Sequence, residues 1–230
     1  MLKLMQLEMK KFKLGRNGVI IATLIILGLT LMISFGSKNE GTVSFENLDQ
    51  AFSVINTMVR DVFIIFEAVL IGEMVIGEFK NKTISVLFMY PVNRKKLMVA
   101  KLLLITGFIF SVILLSNIFI DCTYYLINSR MHFTADNLTN VIIFKRIINI
   151  CVDAACFTCM GLITVFFGMK KKSMAQTIVA AIILVCIIGG NFGKNFSLSS
   201  IIAIPVTLAI IGLLIAYLSI RNIEDRDLSN

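Results

Sequence analysis

The sequence predicts an all-α polytopic membrane protein with six transmembrane helices and both termini in the cytosol. Three observations carry that expectation. The 230-residue chain is 57% hydrophobic and only 16% charged, and its mean hydropathy is +0.89. A soluble domain of this size cannot keep so large an apolar share away from water, because its surface-to-volume ratio forces much of the chain outward. Six apolar runs approach or exceed the roughly 20 residues that cross a bilayer. The basic residues gather at the ends of those runs. That pattern sets membrane topology, and it argues against nucleic-acid binding despite a net charge of +8.

The predicted spans are residues 17–35, 59–79, 97–124, 141–169, 174–190 and 200–220, within a single domain covering 1–230. The third and fourth exceed the minimum length and can tilt or project beyond the bilayer. With the N-terminus inside, the cytosolic segments carry sixteen of the 22 basic residues. These are Lys3, Lys10, Lys11, Lys13 and Arg16; Lys80, Lys82, Arg94, Lys95, Lys96 and Lys101; Lys170, Lys171 and Lys172; and Arg221 and Arg226. The external loops carry Lys38, Arg130 and Lys194. The opposite orientation would carry every basic cluster across the membrane.

Residues 1–16 form an element of their own. Leu2, Met5, Met9 and Phe12 recur at helical spacing, with the lysines off that stripe. A basic amphipathic helix lying on the inner leaflet fits this pattern. The first span has the length of a retained helix and lacks a small-residue cleavage site. Five cysteines, mostly within apolar runs, imply no disulfide framework.

The connector between the second and third spans is the most specific feature. Glu78 closes the second helix. Thr83 can cap a short new helix and Pro91 ends it, since proline cannot continue the backbone ladder. The result is about two turns, roughly 11 Å long, with Ile84, Leu87 and Phe88 on one face. On physical grounds alone, it serves equally as a rigid knob facing the cytosol or as a cover over the end of the bundle.

Glu78, Phe79, Thr83, Ile84, Leu87, Phe88, Pro91, Val92, Asn93, Arg94, Leu97 and Lys101 together resemble the connector of ABC-2-type exporter permeases. Lys82 stands where that family usually has glycine, which stiffens the turn before the short helix. The six-helix plan and the Arg221…Arg226-Asp227-Leu228 tail also resemble the family. The resemblance implies that Glu78, Phe79, Thr83, Ile84, Leu87, Phe88, Pro91 and Arg94 form the coupling interface with a cytosolic ABC ATPase. It further implies two ATPase copies holding ATP and magnesium, a second permease copy, and the plasma membrane of a bacterium as the location. By analogy the Lys170–Lys172 turn is a smaller second contact. In size the chain is similar to small Gram-positive exporters of bacitracin-like, lantibiotic or phenol-soluble-modulin peptides.

No Gly-x-x-x-x-Gly-Lys-(Ser/Thr) motif occurs, so nucleotide hydrolysis is expected from a separate chain and no cofactor from this one. Gly189…Gly193-Lys194-Asn195 has the wrong spacing and lies on the external side of the predicted topology. Glu67 and Asp153 fall near the middle of the second and fourth spans. An acid at that depth costs about 2.5–3.5 kcal/mol to insert, so it faces a protein interior or a wet cavity. Both are candidates for the translocation path, and a structural hydrogen bond between helices is the competing reading. Glu73 is expected to be structural. Arg60 and Asp61 at the outer opening of the second helix, Lys145 and Arg146 in the fourth, and Asp121 in the third are expected to pair or to reach headgroups. Cys156-x-x-Cys159 sits inside an apolar helix without a second pair, and buried packing explains it. The lone His132 makes no metal site or triad. Residues 191–200 fit an external re-entrant gate and a plain loop equally. The expected cargo is an amphipathic peptide, with lipids or small hydrophobic drugs as the alternative, and a standalone membrane immunity protein as the alternative from another class.

Overall fold

The computed structural model describes residues 13–39, 48–77, 94–131, 140–171, 173–189 and 203–221. Every ordered element among them is helical: α1 Lys13–Asn39, α2 Leu48–Ile71, α3 Arg94–Met131, α4 Asn140–Gly161, α5 Ile163–Lys171, α6 Met174–Gly189 and α7 Ala203–Arg221. A π-helical turn, Gly72–Ile76, continues α2. The expected interfacial helix lies outside the described residues, except for 13–16, which belong to α1. The short helix of the connector, the 191–200 segment and the C-terminal tail also lie outside them.

Helix ends differ from the hydropathy boundaries for physical reasons. α2 starts at Leu48, well before residue 59, so Arg60 and Asp61 stand in mid-helix and do not open it. Asp49, Gln50 and Asn56 dilute the hydropathy of its first turns. Helix formation needs only a bonded backbone and a buried stripe, and Ala51, Phe52 and Ile55 supply that stripe. α3 extends to Met131, and its apolar part, Met98–Ser129 (32 residues), is roughly 48 Å long at 1.5 Å per residue. That exceeds a hydrocarbon core of about 30 Å. The fourth expected span is two helices, broken at Leu162 between α4 and α5.

Two helical stretches among the described residues, Met98–Ser129 and Phe144–Lys171, are long and apolar enough to cross a membrane. Val19–Met32, Met174–Gly189 and Pro205–Ser219 are shorter apolar helices. The buried core is mostly apolar, but the outward face differs from that of a water-soluble protein. Met32, Leu115, Leu126, Phe144 and Tyr217 are each at least 65% exposed, while Arg60, Glu67, Asn117 and Thr177 are at most 1% exposed. Large apolar side chains facing outward, with charges and amides inward, are stable where the surrounding solvent is hydrocarbon.

The chain divides into two compact units. One, drawn from 63–110 and 155–230, holds the end of α2, its π turn, the start of α3, the end of α4, and α5 to α7. Within it α5 packs on α6 and α7, and the π turn packs on α6 and α5. α7 meets α4 closely: a Cβ at Gly212 would run into the carbonyl oxygen of Cys159. Small residues that admit backbone approach are how helices gain packing energy without a hydrophobic drive between them. The other unit, drawn from 13–62 and 111–154, holds α1, the first part of α2, the second part of α3 and the first part of α4.

Candidate functional site

The α4–α5 break is built from backbone chemistry. Val165 N–H donates to Leu162 O at 3.1 Å, one residue short of the α-helical register. The Thr164 hydroxyl donates to Gly161 O at 2.7 Å, supplying a second donor where the ladder is interrupted. Glu67 of α2 comes to this same point. Its carboxyl occupies the space that a side chain at residue 161 would fill. Glu67 is 0% exposed, and neither of its oxygens has a hydrogen-bond partner among the described residues. The glycine is what admits the carboxyl between the helices.

The π turn forms the other notable feature of this unit. Gly77 N–H donates to Gly72 O, five residues back, which widens the helix. Met174, the first residue of α6, covers the turn: a Cβ at Gly77 would sit 2.7 Å from its Cε. Lys101 of α3 is 4% exposed, with Nζ 3.4 Å from Met74 O in the turn. A buried ammonium therefore braces α2 immediately before the connector. Glu73, in the same turn, is exposed.

Asp153 belongs to the other unit. Its Oδ2 accepts from Asn56 Nδ2 at 2.6 Å. Two ion pairs stand in the same unit. Arg60 Nε donates to Asp61 Oδ1 at 2.7 Å. Arg146 grips Asp121 with two donors, Nε to Oδ2 at 2.8 Å and Nη2 to Oδ1 at 3.3 Å. Arg146 Nη2 also donates to Phe52 O at 2.9 Å, and its guanidinium lies 5.3 Å from the Phe52 ring centre. One arginine thus ties α2, α3 and α4 together. The expected pairing of these charges is what the structure contains, whereas Lys145 is exposed.

Of the expected coupling residues, Glu78, Phe79, Thr83, Ile84, Leu87, Phe88 and Pro91 lie outside the described residues. Arg94 is the first residue of α3. The two candidate path acids, Glu67 and Asp153, fall in different units. Sequence reasoning missed Asn56, Gly161 and the brace made by Lys101. Lys101 was visible as part of the connector pattern, whereas Gly161, inside the fourth predicted span, gave no signal of a break. Cys156 and Cys159 are half-buried free thiols, and among the described residues no group of three or more His, Cys, Asp or Glu side chains could hold a metal ion.

Comparison with known proteins follows the same direction. The family model for ABC-2 family transporter proteins matches residues 4–189. A Bacillus subtilis (strain 168) protein called "Uncharacterized protein YcbO" is 42% identical over 228 residues, covering 98% of this chain and 100% of that protein. The match to the family model takes in the acids, the helix break, the π turn and the connector, and on it the chain belongs to the ABC-2 family of transporter proteins.

Proposed function

We infer that this chain is the permease subunit of an ATP-driven exporter in the plasma membrane of a bacterium. The observation that carries the reading is the family match over residues 4–189. The apolar outward face and the polar groups buried between helices support it, because a membrane-spanning subunit presents hydrocarbon to lipid and satisfies its polar groups internally. In this reading the chain crosses the membrane six times with both termini inside. Two copies of a separate cytosolic ATPase bind ATP and magnesium, and a second permease copy completes the complex. Closure of the ATPases pushes the 83–91 helix, and the bundles rearrange to release cargo outward. The cargo is an amphipathic, cationic peptide. Glu67 and Asp153 are the acids of its path, since acids retained at bilayer depth are costly unless they serve a polar interior.

The test is co-purification with an ATPase and measurement of its stimulation. Phe88→Asp would place a charge on the apolar face of the connector helix. It is expected to reduce stimulated ATP hydrolysis to the level of the isolated ATPase while leaving membrane insertion intact. Wild-type rates in that variant complex would remove the connector from the coupling path.

A further inference from the structure

The π turn is where the ends of two basic segments meet. The connector stretch, residues 78–101, begins two residues after Ile76 and closes at Lys101. The second segment, Lys170–Lys172, begins two residues after Gly168 and closes two residues before Met174. All four of these ends converge on the turn. Gly168 of α5 lies against Ile76 of the turn and Thr177 of α6: a Cβ on residue 168 would collide with Ile76 Cδ1 and Thr177 Oγ1. Met174 of α6 lies over the turn, its Cβ 3.6 Å from a Cβ built at Gly72 and its Cε 2.7 Å from one built at Gly77. Lys101 reaches in from α3, with Nζ 3.4 Å from Met74 O.

The packing here leaves little slack. Ile76 is 1% exposed and Thr177 0%, and the backbone of Gly168 touches both. Any larger residue at 168 would push α5 away from the turn and from α6 together. The π form is rare in helices, and α5 and α6 pack against it from outside. Interiors packed at this density are nearly incompressible and pass a displacement on to their neighbours. The second segment has no freedom of its own either. Three residues span at most about 11 Å when fully extended, so the segment cannot travel far from Gly168 and Met174.

We propose that the π turn is the hub of a rigid joint that fixes the connector and the Lys170–Lys172 turn to each other, so that an ATPase pushing on either moves both as one body. Gly168 and Met174 are its positioning residues. Gly168 lets α5 close on the turn, and Met174 ties the turn to the start of α6. Lys101 holds the far end of the connector to the same hub. A stroke received at the connector thereby reaches α5 and α6 directly, without passing along the length of α2. The part the joint plays in coupling rests on the exporter reading; its rigidity does not.

A reversible cross-link tests the joint in the full chain. The 3.6 Å between Met174 Cβ and a Cβ at Gly72 falls within the disulfide range of about 3.5–4.5 Å. Gly72→Cys/Met174→Cys, with the five native cysteines left in place, should form that disulfide under mild oxidation, and mass spectrometry of the linked peptides identifies it. In complex with the ATPase, the oxidised form should keep stimulated ATP hydrolysis within about twofold of wild type, since a joint that stays shut loses nothing by being tied. Failure of the disulfide to form, or stimulation lost on oxidation and restored by reductant, would overturn the joint. The opposite change loosens it. In the chain alone, Gly168→Val should speed amide exchange roughly tenfold over both Gly72–Gly77 and residues 177–181. In the complex it should lose stimulation while the ATPase still co-purifies. Should that variant fail to fold, Met174→Ala carries the same measurements, because Met174 is 37% exposed and its truncation leaves no closed cavity. Faster exchange in one segment only, or in neither, would show that the turn and α6 are not joined. If no ATPase responds even to the wild-type chain, the exporter reading fails, while the disulfide and the exchange rates still decide the joint.

Discussion

Replacing Arg146 with methionine should destabilise the chain far more than replacing Arg146 and Asp121 together. The guanidinium makes three hydrogen bonds, two to Asp121 at 2.8 and 3.3 Å and one to Phe52 O at 2.9 Å, and the pair's side chains are only 16% and 12% exposed. Methionine removes all three donors and strands a carboxylate between α3 and α4. Breaking a buried pair from one side costs about 3–5 kcal/mol, because the remaining charge stays desolvated. Asp121→Asn alone keeps an acceptor for Arg146 and should cost less, about 1–3 kcal/mol. In Arg146→Met/Asp121→Asn no buried charge is left unmatched, so its cost should fall about 1.5 kcal/mol or more below the sum of the single changes. Unfolding in mixed micelles by titration with sodium dodecyl sulfate, followed by far-ultraviolet circular dichroism, gives the four free energies. The absence of tryptophan makes fluorescence a poor probe. Additivity within about 0.5 kcal/mol would mean that the two residues do not act as a buried pair, and the account of how α2, α3 and α4 are joined would fail.

Changes at three positions probe the unit that contains Glu67. Gly212→Ala and Gly161→Ala both add one methyl, but the first meets the backbone carbonyl of Cys159 and the second the end of the Glu67 side chain. A backbone cannot step aside, so Gly212→Ala should cost about 2–3 kcal/mol and Gly161→Ala about 1, within the range for overpacking; the same denaturant titration ranks them, and the reverse order would contradict the close α4–α7 approach. Lys101→Met should loosen the π turn by about 1 kcal/mol, seen as roughly fivefold faster amide exchange over Gly72–Gly77, with Lys101→Arg restoring most of the protection. Unchanged exchange in Lys101→Met would show that the 3.4 Å contact with Met74 O contributes nothing.

Several local choices in the chain are decisive without any tertiary information. The apolar runs place α1, α3, α6 and α7 because the backbone of a predominantly apolar stretch can be satisfied only by internal hydrogen bonds in hydrocarbon. The charges flanking them state an orientation for the same reason that lysines avoid translocation. The connector pattern, from Glu78 to Lys101, was enough to suggest the family, and the family match agrees. The acids at 67 and 153 stand out as costly wherever they lie. What hydropathy could not give was the beginning of α2 at Leu48, because three polar residues in its first turns hide a buried stripe that exists only once neighbouring helices are present.

By itself, then, the order of residues determines a helical chain for a hydrocarbon surrounding, since the length and polarity of a run are local properties and the bilayer acts on each run separately. Partnership is not local. That Glu67 rests on Gly161 at a helix break, that Arg146 reaches Asp121 and Phe52, and that Asn56 holds Asp153 from 97 residues away are decided by which helix faces meet. Those meetings depend on side-chain shape and on small residues that let backbones approach, quantities that no single segment contains.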